Sequence, residues 1–499
     1  MAHKKQKTTQ YYEGLGPSQL KAFGTILRGS SVFLTGSAGT GKSELLKRLV
    51  QYWDSIGLHY GLTASTGIAA MNIGGRTLHS FVWLRPDDED LEVHEVYARL
   101  AKVPSFRNYK YTLNKLKALV IDEVSMISPK FLDLVSALLK LVRSNGAPFG
   151  GIQVILVGDF FQLSPVKSLK LLFETPLFYE TVQERLELVE VWRQSDMVFI
   201  DLLSRMRQGQ LLDSDIALLQ SRVGHEVTKF GIRPTELWST NKDVDRLNSD
   251  ALSQIKTPSV YFEVLSGIQA SSAKPTDLQT MQLQKFVKDL GLLTVEVKGP
   301  SVSGASVAGP SVVGPSAADQ YAENGAQVML TYNLNAEKGL VNGSRGLVIG
   351  FECAPGGYAE DFFKEFLEPE THKAYRQGLP MPKVRFLTPS GKLEVLVPYV
   401  RYTRTSGTAE HKCTLFVWSM PLKLAWATTV HKSQGQSLDC VKVSLDRTVF
   451  AEGQAYVAVS RARSLEGLTL TAFDPTVVRA SEKVKQFYSL PFGTQEIMN

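Results

Sequence analysis

Between Ser30 and Val166 the chain alternates short, nearly unbroken apolar runs with longer stretches of helical period. The runs fall at 32–35, 61–64, 118–122 and 153–158. The stretch 129–143 carries Phe131, Leu132, Leu134, Val135, Leu138, Leu139 and Leu141, the spacing of a helix with one apolar face. Continuous apolar strands joined by crossover helices predict a parallel sheet covered on both faces. A second alternating block begins near Glu184, is interrupted, and resumes at Leu422. It has strands near 440–445 and 468–473 and a helix from about Gly453 to Arg463 between them.

The interruption has two parts. Residues 299–318, "GPSVSGASVAGPSVVGPSAA", hold only Gly, Pro, Ser, Val and Ala, and predict a flexible linker. From 325 to 420 short β-prone runs ("AQVML", "RGLVIGF", "KVRFL", "CTLFVW") alternate with turn residues and predict a small barrel-like insert.

The first strand runs into "GSAGTGKS", Gly36, Ser37, Ala38, Gly39, Thr40, Gly41, Lys42 and Ser43. Glycines at these positions let backbone N–H groups wrap the phosphates of a nucleoside triphosphate. Lys42 reaches the β/γ-phosphates, Ser43 offers its hydroxyl to Mg²⁺, and the helix N-terminus adds partial positive charge. A phosphate loop by itself fits a kinase, a GTPase, a switch or a motor.

Downstream residues narrow the choice. The run "ALVID" ends in Asp122-Glu123, where one carboxylate can hold Mg²⁺ with Ser43 and the other can orient or deprotonate water. Gln162, in "GDFFQLSPV", follows another buried strand and can sense the γ-phosphate or the attacking water. Hydrolysis also needs a cation against the charge of the transferring phosphoryl group; Arg193 and Arg461 are the candidates, with Arg463 read as a surface ion pair.

Composition adds limits. At about 150 residues per domain, 499 residues suggest roughly three domains. No apolar run approaches the roughly 20 residues of a membrane span. Met1-Ala2-His3-Lys4-Lys5 is followed by no apolar secretory segment. Cys353, Cys413 and Cys440 are scattered without a C-x-x-C pair, which predicts a reducing intracellular compartment with neither disulfide framework nor zinc site. The net charge of +6 permits a polyanionic partner.

The set "GSAGTGKS", "TASTGIAA", "GRTLHSF", "IDEVSM", "GDFFQLSPV", "WRQSD", "GLVNGSRGLVIGF", "ATTVHKSQGQSLD" and "AYVAVSRARSLEGL" closely resembles the petite-integration-frequency helicases, a RecD-related branch of superfamily one. The resemblance runs from about Gln19 to Phe473. It implies an α/β fold of two RecA-like P-loop NTPase domains with a small SH3-like β-barrel insert in the second. The corresponding division is 1–183 for the first domain, with a wedge insert at 83–110. The second domain is 184–262 and 421–488, interrupted by an insert with linker at 263–324 and the β-rich part at 325–420; 489–499 is a tail.

The implied activity is ATP-dependent, Mg²⁺-requiring 5′-to-3′ translocation on single-stranded DNA with duplex unwinding, in replication, repair, recombination or telomere and genome maintenance. Implied partners are single-stranded DNA and its junctions with duplex, bound by a monomer or by two copies on DNA, and no membrane. The nucleus or mitochondrion would house it in a eukaryote, the cytoplasm otherwise. By position, Gln19 resembles the adenine-reading glutamine, and Arg193 and Arg461 the two γ-phosphate arginines. Thr63, Thr66, His79 and Phe81 fall in DNA-track blocks of the first domain. Asn241, His431, Lys432, Ser433, Gln434 and Gln454 fall in those of the second. Outside that pattern, His79 alone reads as a core histidine. An RNA or RNA–DNA hybrid helicase, or an ATP-gated clamp without strand separation, remains an alternative.

Overall fold

The computed structural model describes residues 11–491 except 166–167, 169, 193–195, 226, 228–231, 258, 271–279, 282, 285–286, 288–294, 299–324, 336–337, 354–379, 389–390 and 407–412. The linker expected at 299–318 lies outside the described residues. The chain divides into two compact units, Met1–His225 with Val430–Asn499, and Glu226–Thr429.

In the first unit, strands β1 (Val32–Gly36), β2 (Tyr60–Ala64), β3 (Arg76–Thr77), β4 (Ala118–Asp122), β5 (Gln153–Val157) and β6 (Glu184–Leu188) form a sheet in the order β3-β2-β4-β5-β1-β6. Every pairing is parallel. Phe33, Leu119, Ile121, Val154 and Leu156 enter one apolar core; Val32, Leu34, Ala118, Val120, Ile155 and Val157 enter a second. Alternate side chains thus feed opposite faces, which is why these strands read as continuous apolar runs.

Helix Pro129–Arg143 shows how the sequence sets its own bounds. Ser128 caps it by accepting from the Phe131 N–H at 3.1 Å, Pro129 takes the first turn, and Ser144 ends it in the left-handed region. Arg143 then donates to the carbonyls of Leu113, Asn114, Leu116 and Gly150, fastening the last turn. The first core also takes Val484 and Phe487 from helix Glu482–Ser489. Phe487 stacks on Phe173 at 4.3 Å, and burying such a ring is worth about 1.5–3 kcal/mol.

Residues 83–110 form the 3-10 turn Pro86–Asp90 and helices Val93–Ala101 and Pro104–Lys115. The acidic "RPDDED" reads as a surface projection, yet Asp88 is 1% exposed. It accepts from the Arg85 N–H and pairs through both oxygens with Arg99, while Val96, Leu100 and Phe106 join the core. An ion pair across 11 residues draws in Asp88 alone; Arg85, Asp87 and Asp90 stay exposed.

The second unit is mostly antiparallel. Its strands are β7 (Thr235–Trp238), β8 (Ser259–Phe262), β9 (Leu265–Ala270), β10 (Val295–Lys298), β11 (Gln327–Leu330), β12 (Arg345–Cys353), β13 (Pro380–Thr388), β14 (Gly391–Leu396), β15 (Val400–Ser406), β16 (Cys413–Ser419), β17 (Leu422–Leu424) and β18 (Ala427–Thr429). One sheet runs β14-β13-β12-β11-β17 and another β15-β16-β9; β8 pairs with β10, and β7 with β18 in parallel. Phe262, Val297, Val328, Leu330, Val348, Val384, Phe386 and Met420 share one core.

Back in the first unit, β19 (Val441–Leu445) and β20 (Leu468–Phe473) pair in parallel. The helix expected from 453 to 463 covers Gln454–Val459; it stops where the Ser460 hydroxyl and the Arg461 guanidinium turn back onto the Val457 carbonyl. Among the described residues no helix is long and apolar enough to cross a membrane.

Candidate active site

The phosphate loop occupies the turn between β1 and helix Lys42–Ser55. Gly41 is the helix N-cap at φ +81°, and a Cβ there would lie 2.4 Å from Gln19 Nε2, so only glycine fits. Gln19 is buried; its Oε1 accepts from the Gly16 N–H and its Nε2 donates to the Gly41 carbonyl at 3.2 Å. Lys42 donates to the carbonyls of Gly36 (2.7 Å) and Ser37 (3.0 Å). Burial lowers its pKa, opposed by the charges of Asp159, Glu123 and Asp122. Ser43, one residue on, is exposed in the first helical turn.

Asp122 closes β4 and accepts from the Glu123 N–H at 2.9 Å. Burial first, then the charge of Glu123, pushes its carboxyl up to about 7. Glu123 is one of four non-glycine residues at positive φ among the described residues, +51°, a local strain of the kind that clusters at functional sites. Its Oε2 accepts from Gln434 Nε2 at 2.9 Å. Gln162 is 6% exposed, and its Oε1 is buried without a hydrogen-bond partner among the described residues.

Arg461 is 1% exposed. It donates to Val457, Ser433 and Gln436 carbonyls and to Ser460 Oγ, so its charge meets neutral oxygens while Glu123 attracts it at longer range. Arg463 instead pairs with Asp439 at 3.0 Å, 40% exposed. Arg193 lies outside the described residues. Lys42, Asp122, Glu123, Gln162, Gln434 and Arg461 therefore belong to one compact unit.

Sequence reasoning missed several members of this site. Trp192 donates its backbone N–H to the Gly39 carbonyl at 2.8 Å; the residue is 57% exposed, and its ring lies beside Gly41, in van der Waals reach of that position. An aromatic next to Arg193 in "WRQSD" was the available signal. The buried Tyr456 hydroxyl accepts from the Ala38 N–H at 2.9 Å. Asp159 is held by Arg207 through two bonds of 2.9 and 3.0 Å. Gly453, φ +74°, packs so closely that a Cβ would meet the Phe161 carbonyl oxygen at 2.4 Å.

The residues expected on a DNA track divide. Thr63 is wholly buried and donates to the Val120 carbonyl, and Phe81 is packed in the core, so neither side chain presents a surface to a strand. The motif blocks identify neighbourhoods, not the direction in which each side chain points. Ser433 donates to the Val430 carbonyl, Gln434 holds Glu123, and Gln454 caps the Phe450 and Ala451 N–H groups; all three are buried. His79 stacks on Phe131 at 3.8 Å, and burial lowers its pKa against Glu89 and Asp88. Thr66 caps the helix Gly67–Asn72 through the Ala69 N–H. His431 is half-buried, with its pKa lowered by burial. Lys432 is exposed, as is Asn241 on the second unit.

The chain is similar to several known proteins. The model of the PIF1-like helicase family matches residues 15–216, and that of the DNA helicase Pif1 2B domain matches residues 323–351. The ATP-dependent DNA helicase PIF1 of Danio rerio is 38% identical over 478 residues, 95% of this chain; the chain spans 63% of that protein's length. The crystal structure of Pif1 helicase from Candida albicans is 32% identical, with 95% of this chain and 99% of that one covered at a TM-score of 0.70. A Pif1 helicase from Bacteroides in complex with ADP-AlF3 and single-stranded DNA is 26% identical over 97% of this chain and 98% of that one, TM-score 0.59. With a RecA-like α/β unit carrying the phosphate loop and its acidic partners, the chain belongs to the PIF1-like helicase family.

Proposed function

We propose that the protein is an ATP-dependent DNA helicase that moves 5′-to-3′ on single-stranded DNA and opens duplex ahead of it. The observation that carries this reading is the convergence of Lys42, the Asp122–Glu123 pair and the buried Arg461 in one unit, with Gln434 of "HKSQG" holding Glu123. The Danio rerio relative is named an ATP-dependent DNA helicase, and the Bacteroides structure holds ADP-AlF3 with single-stranded DNA; both support the reading, and the polarity rests on the motif resemblance.

In this reading Gln19 and the exposed face of Trp192 receive the base, and the loop N–H groups with Lys42 receive the phosphates. Glu123 orients the attacking water and takes its proton, Gln162 reports on the γ-phosphate, and Arg461, with Arg193, opposes charge on the transferring phosphoryl group. Thr66, His79, His431 and Lys432 in the first unit, and separately Asn241 in the second, are the track residues that keep accessible surface. The β-rich part at 325–420, within the second unit, is read as the SH3-like insert, supported by its short antiparallel strands and the core that Val328, Val348, Val384 and Phe386 share.

The donor set suits Mg²⁺. Asp122 and Glu123 are adjacent, and Asp122 is buried with a raised pKa, so a divalent cation relieves a repulsion the fold imposes. Among the described residues no cluster of three or more His, Cys, Asp or Glu could hold a metal by itself, so Ser43 and Asp122 would share it with nucleotide phosphates. Held by Ser43 and Asp122, Mg²⁺ would supply positive charge against the phosphates.

Asp122 also sets a pH dependence. Its folded pKa of about 7 exceeds the ordinary carboxylate value, so its contribution to stability is present at low pH and is lost as pH rises through about 7. Metal binding needs the deprotonated form. The rise in Tm produced by Mg²⁺ with a non-hydrolysable ATP analogue, relative to the analogue in EDTA, should therefore grow from pH 5.5 to pH 8. An equal rise at both would contradict the Asp122 role.

The activity itself is read by ATP turnover with and without an oligo-dT strand. Strand-dependent stimulation is expected. A protein that hydrolyses nothing under either condition overturns the proposal.

A further inference from the structure

Tyr488 lies in the last turn of the helix Glu482–Ser489, 453 residues from Thr35, yet the two hydroxyls are 2.7 Å apart. Thr35 is wholly buried and immediately precedes Gly36, the root of the phosphate loop. The same Tyr488 oxygen accepts from the Phe160 N–H at 3.3 Å and lies 3.5 Å from Asp159 Oδ1. Phe160 stands two residues before Gln162. One phenol therefore touches two of the strand ends that deliver chemistry to the nucleotide, those of β1 and β5.

The ring is fixed as firmly as the hydroxyl. It stacks on Phe161 at 4.9 Å and 14°. The Arg207 guanidinium lies 4.6 Å from the Phe161 ring and 5.2 Å from the Tyr488 ring while gripping Asp159 with two hydrogen bonds. Burial holds the phenol in its neutral form. Behind it, Arg185 donates to the carbonyls of Phe487, Tyr488 and Leu490, and Phe487 is inserted among Phe33, Phe160, Phe173 and Phe178. Any shift of the 159–162 loop against β1 must break a hydrogen bond to Tyr488 or unstack its ring.

We propose that Tyr488 is a positioning residue for ATP hydrolysis: from the far end of the chain it holds the phosphate-loop root and the Gln162 loop in register. The assignment rests on the ATPase reading above. It acts through Thr35 and Phe160. A static misplacement of reacting groups by an ångström can cost about 10²-fold in rate, so a small loss of register is visible in turnover.

The test uses the full chain. Tyr488→Phe removes the hydroxyl and keeps the ring; Thr35→Val removes the other hydroxyl at similar volume in a β-strand. For each, and for the double variant, kcat and KM for ATP are measured on oligo-dT, together with Tm. The expected result is a kcat lower by about tenfold, with KM within about twofold and Tm within a few degrees of wild type. The double variant should lose no more than Tyr488→Phe alone, because that change already removes the one bond to Tyr488 that Thr35→Val breaks. A purely structural hydroxyl would lower Tm and leave kcat alone. If the wild type turns over ATP and both single variants match its kcat, the assignment is overturned and the helicase reading stands. If the wild type hydrolyses no ATP, the helicase reading fails first and takes the assignment with it. Should Tyr488→Phe not fold, Thr35→Val alone decides by the same kcat criterion.

Discussion

Lys42→Ala should abolish strand-stimulated ATP turnover while single-stranded DNA binding stays within a few-fold of wild type. The ammonium is the one side-chain cation of the phosphate loop, held at its mouth by the Gly36 and Ser37 carbonyls. Removing it deletes a preorganised donor against β/γ-phosphate charge, a loss of about 10²–10³ in kcat when a single such donor is taken away. It also leaves Asp122, Glu123 and Asp159 without the cation that their charges favour. Steady-state hydrolysis and fluorescence anisotropy of a labelled oligonucleotide read the two effects separately. Turnover near wild type would remove Lys42, and with it the phosphate-loop assignment.

Arg461→Ala should lower strand-stimulated kcat by on the order of 10³ or more, the worth of an arginine against a transferring phosphoryl group. Its guanidinium is buried, yet its donors meet carbonyl and hydroxyl oxygens and no carboxylate among the described residues. A buried cation so arranged keeps its charge for an anion brought from outside. Affinity for a fluorescent ATP analogue should change far less than kcat, and Arg461→Lys should recover little because one ammonium cannot reproduce four oriented donations. A kcat loss under tenfold would move this role to another residue.

How much of this could be read in the sequence differs from element to element, for physical reasons. The strand-loop-helix at 32–55 was legible because glycine spacing and apolar periodicity are both local. So was the two-faced parallel sheet, since strands buried on both sides lose their alternation. Tertiary partners were not legible. Asp88 looks solvated in "RPDDED" until Arg99 is placed across from it. Thr63 and Phe81 share motif blocks with surface residues, yet one hydroxyl turns to Val120 and one ring packs against Gly61. Gln434 resembles a strand-binding amide, and its nitrogen is given to Glu123. Arg461 and Arg463 differ by two residues in one motif; the end of helix Gln454–Val459 sends the first inward and the second to Asp439. Tyr488 carried no local signal, because its partners lie hundreds of residues away.

The central claim is that ATP hydrolysis drives this chain along one strand in one direction. The most direct measurement is strand displacement from two duplexes of the same sequence, one with a 5′ single-stranded tail and one with a 3′ tail, in ATP and Mg²⁺. The account predicts that the 5′-tailed duplex opens, that the 3′-tailed duplex stays closed, and that neither opens with Lys42→Ala or without ATP. Opening of the 3′-tailed duplex alone, of both equally, or of neither by an enzyme that still hydrolyses ATP would contradict it.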